Sequence, residues 1–421
     1  MKIMVVGGGG REHAIIKKIN ENKLVDKIYS ISSNLAFQEL AEVVDISVKD
    51  IEKVKEFAKT NKVDYAIVSM DDPLVLGMVD ELQNAGIKCF GPNKNAAIIE
   101  GSKSFSKDLM KKYNIPTASY EVFDDSDSAK EYLKNQQMPI VIKADGLALG
   151  KGVIIAQNLN EALDAVDEIM VDKKFGDSGL KVVIEEFLEG PEVTVLSFTD
   201  GNIVVPMISS MDHKQAYDGD KGPNTGGMGV IAPNPYYTNN IAKICMDTIF
   251  NPTIQAMKKE GRIFKGCLYF GLMLTKNGPK VIEYNCRFGD PEAQTILPLL
   301  KSDLLTIMMN VTNEKLSDTD VIFSNAASCC VVMASDGYPI SYKKGFEITF
   351  DEKIKDNLIY AGTTIKAGKL VTNGGRVLGV VETAENLKTA IDKAYETVSK
   401  VHFENAYYRK DIGQKALKVI K

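Results

Sequence analysis

The sequence predicts a multidomain chain of α/β and α+β units: a parallel α/β domain first, antiparallel strands in the middle, and a mixed α/β domain last. Three observations predict it. Up to residue 90, short β-branched runs alternate with helical stretches, the pattern of a parallel sheet wound with helices. Further on, Asp200-Gly201 and Asn277-Gly278 lie between apolar runs and signal antiparallel hairpins. The length of 421 residues suggests about three globular units.

In the first unit, strands are predicted at 3–6, 27–31, 43–46, 65–68 and 88–90, and helices at 12–20, 51–59 and 74–83. Gly91-Pro92-Asn93 punctuates it, and a helix over 94–113 leads to a break at Asn114-Ile115-Pro116. The expected units are 1–101, a connecting helix over 102–118, a small α+β unit over 119–190, a central unit over 191–320 and a last unit over 321–421. Within 119–190 the pattern gives a strand at 140–143, a Gly-rich turn, a strand at 153–156, a helix over 159–170 and a strand at 181–185. No internal repeat or low-complexity segment is visible.

Composition narrows the function. Hydrophobic residues make up 44% and charged residues 25%, which is ordinary for a globular chain and argues against disorder. The net charge is −5, so no general attraction to nucleic acid or anionic membrane is expected, and any basic site must be local. No segment reads as a membrane span or a secretory signal. The six cysteines contain no C-x-x-C pair and sit largely in apolar runs, which points to buried reduced thiols and a cytoplasmic location. His13, His213 and His402 are too dispersed for H-E-x-x-H, and no G-x-S-x-G elbow is present.

Five stretches carry candidate chemistry. Gly7-Gly8-Gly9-Gly10-Arg11-Glu12 follows the first strand and opens the first helix, where backbone N–H groups and Arg11 could face an anion. It lacks the third glycine of a dinucleotide fingerprint, and the second strand ends in Ser32-Ser33 without a ribose-binding acid. Lys143-Ala144-Asp145-Gly146 through Gly150-Lys151-Gly152 is not a Walker A loop, but a Gly-rich loop between two strands can close over a triphosphate. Glu185-Glu186-Phe187-Leu188 ends a strand, with Glu192 beyond Gly190-Pro191. It offers a backbone edge and apolar walls for a base and a carboxylate for a ribose.

Glu283, Asn285 and Arg287 alternate along one predicted strand face, with Ile282 and Tyr284 on the other. A carboxylate and an amide oxygen two residues apart suit Mg²⁺, which keeps waters and substrate phosphates; Arg287 suits a phosphate or carboxylate fork. Last, the loop from Asp212 to Gly229 is Gly-rich, charged with both signs and predicted to form no core. His213 within it reads equally as a ligand and as a hydrogen-bonded structural histidine.

Together these residues resemble the phosphoribosylamine-glycine ligase family of the ATP-grasp superfamily, over the whole chain. The resemblance rests on Gly9 to His13, Glu100-Gly101-Ser102-Lys103, Lys143 to Gly152, Glu185 to Leu188, Asp212-His213-Lys214, Gly222 to Gly229 and Glu283 to Glu292. Thr372 to Val377 and Tyr408 to Gly413 also fit. It implies an ATP-grasp fold made of a small lid and a central domain, between the N- and C-terminal domains. It also implies ATP-dependent joining of glycine to 5-phosphoribosylamine through glycyl phosphate, in purine biosynthesis.

By this resemblance Lys103, Lys143, Gly150, Lys151 and Gly152 hold the ATP phosphates. Glu185, Glu186, Phe187, Leu188 and Glu192 line the nucleoside, and Glu283 with Asn285 binds Mg²⁺ or Mn²⁺. Arg287, Lys214 and Lys143 are the candidate catalytic residues. Gly9, Gly10, Arg11, Glu12, Asp71, Asp212, His213, Lys214, Asn224, Thr225, Gly226, Gly227, Met228, Gly229, Arg287, Asp290 and Glu292 are the candidates for glycine and phosphoribosylamine. A monomer is expected, with a transient contact to the enzyme that supplies phosphoribosylamine. The chain departs from the family at Ser32-Ser33-Asn34, at Ser69-Met70-Asp71-Asp72 and at Gln215, and its strand over 265–275 carries no acidic residue. Other readings of the residues are an ATP-grasp ligase for a different acid or amine, a dinucleotide-dependent oxidoreductase and an inactive nucleotide-binding regulator.

Overall fold

The computed structural model describes residues 1–148 and 152–420. Gly150 and Lys151 lie outside the described residues. Five parallel strands, β1 (Lys2–Val6), β2 (Lys27–Ile31), β3 (Glu42–Val44), β4 (Tyr65–Val68) and β5 (Lys88–Phe90), stand in the order β3-β2-β1-β4-β5. Alternation of side chains feeds two cores from one sheet. Ile3, Val5, Tyr65 and Ile67 enter a core shared with the C-terminal sheet, whereas Met4, Val6, Ala66 and Val68 enter one shared with the central sheet. These strands are therefore apolar on both faces, as a covered parallel sheet requires.

Helices α1 (Gly10–Ile19) and α2 (Ile51–Thr60) form as the periodicity predicts. The helix expected over 74–83 is instead two, α3 (Asp71–Leu76) and α4 (Met78–Asn84), because Gly77 takes a left-handed φ of 98°. The helix expected over 94–113 also breaks, into α5 (Lys94–Gly101) and α6 (Lys103–Lys112). Ser102 is extended there and accepts a hydrogen bond from Phe105 N at 3.1 Å. The break places Lys103 in the first turn of α6.

A separate four-stranded antiparallel sheet follows, built from β6 (Tyr120–Phe123), α7 (Ser126–Leu133), β7 (Ile140–Ala144), β8 (Val153–Ala156), α8 (Leu159–Val166) and β9 (Val182–Glu186). Its order is β6-β9-β7-β8. Its core of Ile140, Ile142, Ala162, Val182 and Ile184 is distinct from the other two. The sequence reading lacks β6 and α7, because the polar run 124–128 masks an N-cap: Asp125 accepts from Ser128 N at 2.8 Å.

Next come β10 (Glu192–Thr199), β11 (Val204–Pro206), β12 (Met211–Asp212), β13 (Gln215–Tyr217), β14 (Lys221–Asn224), β15 (Gly229–Ala232), β16 (Gly266–Thr275) and β17 (Gly278–Asn285). The central sheet runs β11-β10-β16-β17, with its turns at the two predicted hairpin dipeptides. β12 and β15 leave it to join β18 (Ala327–Ser335) and the strands Arg376–Ala384 and Leu358–Tyr360. The boundary expected at 320 thus divides one continuous sheet. The loop expected over 212–229 contains the hairpin β13–β14. No helix among the described residues is long and apolar enough to cross a membrane.

Candidate active site

The site forms where β17 ends against β7, α6 and the segment after β12. A β-bulge displaces the strand there: Glu283 faces Gly271 and Val281 faces Leu272, leaving Ile282 without a partner on β16. The alternation expected from sequence is corrected at this point, since Ile282 is half-buried rather than packed away. Its carbonyl accepts Lys143 Nζ at 3.2 Å. A side chain at Gly271 would come within 3.1 Å of Glu283 Cγ, so the glycine leaves Glu283 its place.

Four cations surround Glu283. Lys214 Nζ lies 3.8 Å from Glu283 Oε1 and 3.0 Å from Glu192 Oε2. Lys103 N–H donates to Asp145 O at 2.9 Å, and Lys103 Nζ to Gly146 O at 2.8 Å. Burial pushes the Glu283 carboxyl up, but Lys214, Lys143, Lys103 and Arg287 outweigh it and hold the group below its ordinary value. Burial pulls Lys103 down against Glu283. Lys214 also feels burial, yet Glu192 and Glu283 hold it well above the usual range. An ionised carboxylate with Asn285 two residues on is a donor set for a hard divalent cation. Among the described residues there is no cluster of three or more His, Cys, Asp or Glu that could hold a metal. A cation here would complete its shell with waters and phosphate oxygens.

Arg287 extends the site towards the N-terminal domain. Its guanidinium lies 3.1 Å from Glu100 Oε1 and 3.8 Å from Asp71 Oδ2. Its Nε–H is buried and has no partner among the described residues, which leaves a donor for a bound oxyanion. Glu100 is anchored in turn by Cys286 N–H at 2.7 Å. Burial raises Asp71, and Arg287 and Arg11 reverse that and bring it below its ordinary value.

The glycine turn is occupied by acids. Glu12 accepts from Gly9 N at 2.9 Å, from Arg11 Nε at 2.6 Å and from Ser69 Oγ at 2.9 Å. Asp290 accepts from Arg11 N at 3.4 Å and lies 3.3 Å from Arg376. Arg11 also donates to Phe288 O at 3.1 Å. The N–H groups of Gly9 and Arg11 are therefore satisfied internally, which corrects the expectation of an open anion nest at this turn. Beside it, at the carboxyl ends of β1, β2 and β3, lies a cavity of about 520 Å³ lined by Gly8, Ser32, Asn34, Asp45, Thr363 and Asn373 among others.

The segment 212–229 is held from the C-terminal domain. His213 Nδ1 donates to Gly229 O at 3.0 Å, and Gly413 N–H donates to His213 Nε2 at 3.1 Å. Both ring nitrogens are used, and burial brings the imidazole down to about 4, so it is a neutral ring that ties this segment to the C-terminal domain. Arg409, fully buried, reaches Asp220 at 2.9 Å, Asp411 at 2.7 Å and Gln215 O at 3.1 Å. Arg376 donates to Gly226 O at 2.6 Å. Thr225 Oγ1 accepts from Gly227 N at 2.9 Å and donates to Lys214 O at 2.8 Å. Asn224 accepts from Gln215 Nε2 at 3.3 Å, and Met228 N–H donates to His213 O at 2.8 Å. Glu292 is buried and Asp212 half-buried, and desolvation raises both carboxyls, with Glu292 adding to the shift of Asp212.

On the lid side Glu185 is buried between lysines. Glu186 pairs with Lys280 at 2.7 Å, and Phe187 and Leu188 are half-buried beyond β9. Gly190, at a φ of 152°, passes so close to Leu274 that a Cβ would lie 2.2 Å from its carbonyl oxygen. Sequence reasoning missed Lys107, Glu100, Arg376 and Arg409 as site-shaping residues. Glu100, Arg376 and Arg409 stand in the quoted motifs, but Lys107 carries no local signal.

Residues 1–100, 101–293 and 328–415 match the N domain, the ATP-grasp (A) domain and the C domain of phosphoribosylglycinamide synthetase. The chain is 50% identical over 414 residues to a phosphoribosylamine–glycine ligase of Caldanaerobacter subterraneus, covering 98% of this chain and 99% of that one. A crystal structure of phosphoribosylamine–glycine ligase from Thermotoga maritima superposes with a TM-score of 0.85 at 34% identity, over 98% of this chain and 100% of that one. The biotin carboxylase of Campylobacter jejuni shares the fold alone, with a TM-score of 0.75 at 16% identity over 97% of this chain and 92% of that chain.

Proposed function

The chain belongs to the phosphoribosylglycinamide synthetase family and catalyses the ATP-dependent ligation of glycine to 5-phosphoribosylamine, and we propose that the cleft around Glu283 carries this reaction through glycyl phosphate. A carboxylate is a poor electrophile. Moving the γ-phosphoryl of ATP onto glycine converts its carboxylate into an acyl phosphate with a good leaving group. The amine of phosphoribosylamine then attacks the acyl carbon, phosphate departs with the former carboxylate oxygen, and the amine loses a proton.

The protein's part is positioning and charge neutralisation. Lys103 and Lys143 hold the ATP phosphates, Glu186 to Leu188 the adenine and Glu192 the ribose. Arg287, with its unpartnered Nε–H, steadies the transferring group or the glycine carboxylate. Lys214, Asp212, Glu292, Arg11 and the Asn224 to Gly229 segment shape the substrate end. Glu283 and Asn285 would hold Mg²⁺ or Mn²⁺, which when bound would neutralise phosphate charge during the transfer. Six unpaired, buried cysteines support a reducing cytoplasmic compartment.

The observation that carries the reading is the convergence of Lys103, Lys143, Lys214 and Arg287 on the single carboxylate of Glu283. The test is ADP release by the purified protein with a panel of amino acids, with and without phosphoribosylamine. Glycine- and phosphoribosylamine-dependent ADP and glycinamide ribonucleotide are expected. Ligation of another acid, with glycine inert, would overturn the assignment.

A further inference from the structure

A buried ion triad links α6 to the lid sheet. Lys107 Nζ lies 2.8 Å from Glu185 Oε2, and Lys143 Nζ lies 3.0 Å from Glu185 Oε1. The three side chains are only 3%, 5% and 4% exposed for Lys107, Lys143 and Glu185. Such a carboxylate is screened little by solvent, so its charge acts strongly on both lysines.

The contact to Lys143 is loose. Although Lys143 Nζ is close, Glu185 Oε1 receives no aligned hydrogen bond among the described residues, and Lys143 donates instead to the bulge carbonyl of Ile282 at 3.2 Å. Lys107 is fixed from its other side: it donates to Thr117 Oγ1 at 2.8 Å, which donates onward to Val281 O at 2.8 Å. Lys107 is thus tied to the strand that carries Glu283. Burial pulls Lys107 down to about 8, with Glu185 opposing that pull, so it remains charged at neutral pH.

One carboxylate between two ammonium groups leaves one positive charge. Without Lys107, Glu185 and Lys143 would form a neutral buried pair, presenting little attraction to a polyphosphate. We propose that Lys107 is a positioning residue of the nucleotide site: it takes up the charge of Glu185, so that Lys143 keeps its own for the ATP phosphates. This rests on the assignment of Lys143 to ATP made above. Lys107 touches no substrate in this account and acts only through Glu185.

The test compares ATP with adenosine, which shares the base and ribose but carries no phosphate, by calorimetric titration of the full chain with Mg²⁺ present. Lys107→Met should weaken ATP about tenfold or more while leaving adenosine within about twofold. The double variant Lys107→Met/Glu185→Gln, which restores the charge count, should recover most of the ATP affinity, and Lys107→Arg should bind ATP like the parent. The double variant keeps the net charge of the triad and the Arg variant keeps its ion pairs, so both stay informative if Lys107→Met does not fold. Unchanged ATP affinity in Lys107→Met, equal loss of ATP and adenosine, or a double variant as weak as a folded single variant overturns the proposal. If Lys107→Met does not fold, a double or Arg variant that binds ATP poorly overturns it. A parent protein that binds no ATP overturns the nucleotide assignment itself, and the proposal with it.

Discussion

Glu283 is the carboxylate on which the cations of the site act together. Its carboxylate is held ionised by four cations, from α6, β7, the segment after β12 and the end of β17. Glu283→Ala should lower turnover by about 100-fold or more with an unaltered circular dichroism spectrum. Activity in that variant with unchanged dependence on Mg²⁺ concentration would contradict the metal assignment. His213 belongs to the opposite class. Burial lowers it from 6.5 to about 4 and lowers His13 from 6.5 to about 3. Between those values and 6.5 the unfolded chain binds protons that the folded chain does not, so stability is complete above pH 6.5 and falls as pH drops. At pH 5.5 each histidine should cost on the order of 1 kcal/mol relative to pH 7.5. Urea unfolding at both pH values should show a smaller difference in His213→Asn, and an identical difference would contradict the neutral, buried assignment.

At the level of elements, the C-terminal domain acts as a strap on the segment that carries Lys214. Arg409 binds the hairpin β13–β14 at Asp220 and Gln215 O, and His213 and Arg376 hold its two ends. Arg409→Met should cost about 3 kcal/mol and raise hydrogen exchange over 213–225, with a larger loss in kcat/KM for glycine than in ATP affinity. Equal exchange in parent and variant would remove the strap. Much of this scale was legible in the sequence. The five parallel strands and both hairpins follow from apolar runs and turn dipeptides, because local pattern decides them. The breaks at Gly77 and Ser102 did not show, since one depends on a left-handed glycine and the other on a serine cap inside a continuous helical pattern. β6 and α7 were hidden by polar capping chemistry. The pairing of β12 and β15 with β18 is non-local, and no local sequence signal records it.

For the whole molecule, a net charge of −5 accompanies a cleft that handles anionic substrates. The two facts are compatible because Lys103, Lys143, Lys214, Arg287 and Arg11 converge from segments far apart in sequence, each opposed by a carboxylate. Their residue types were legible as motifs. The partners that tune them, Glu100, Glu185 and Lys107, were not legible as such, because their roles arise only when three domains meet. The β6–β9 sheet has a core of its own. The central claim is transfer of a phosphoryl group to the glycine carboxylate before amine attack. Glycine labelled with ¹⁸O in its carboxylate, incubated with ATP, Mg²⁺, phosphoribosylamine and the protein, tests it most directly. The account predicts inorganic phosphate carrying one ¹⁸O per glycinamide ribonucleotide formed from fully labelled glycine; product formed with unlabelled phosphate would contradict it.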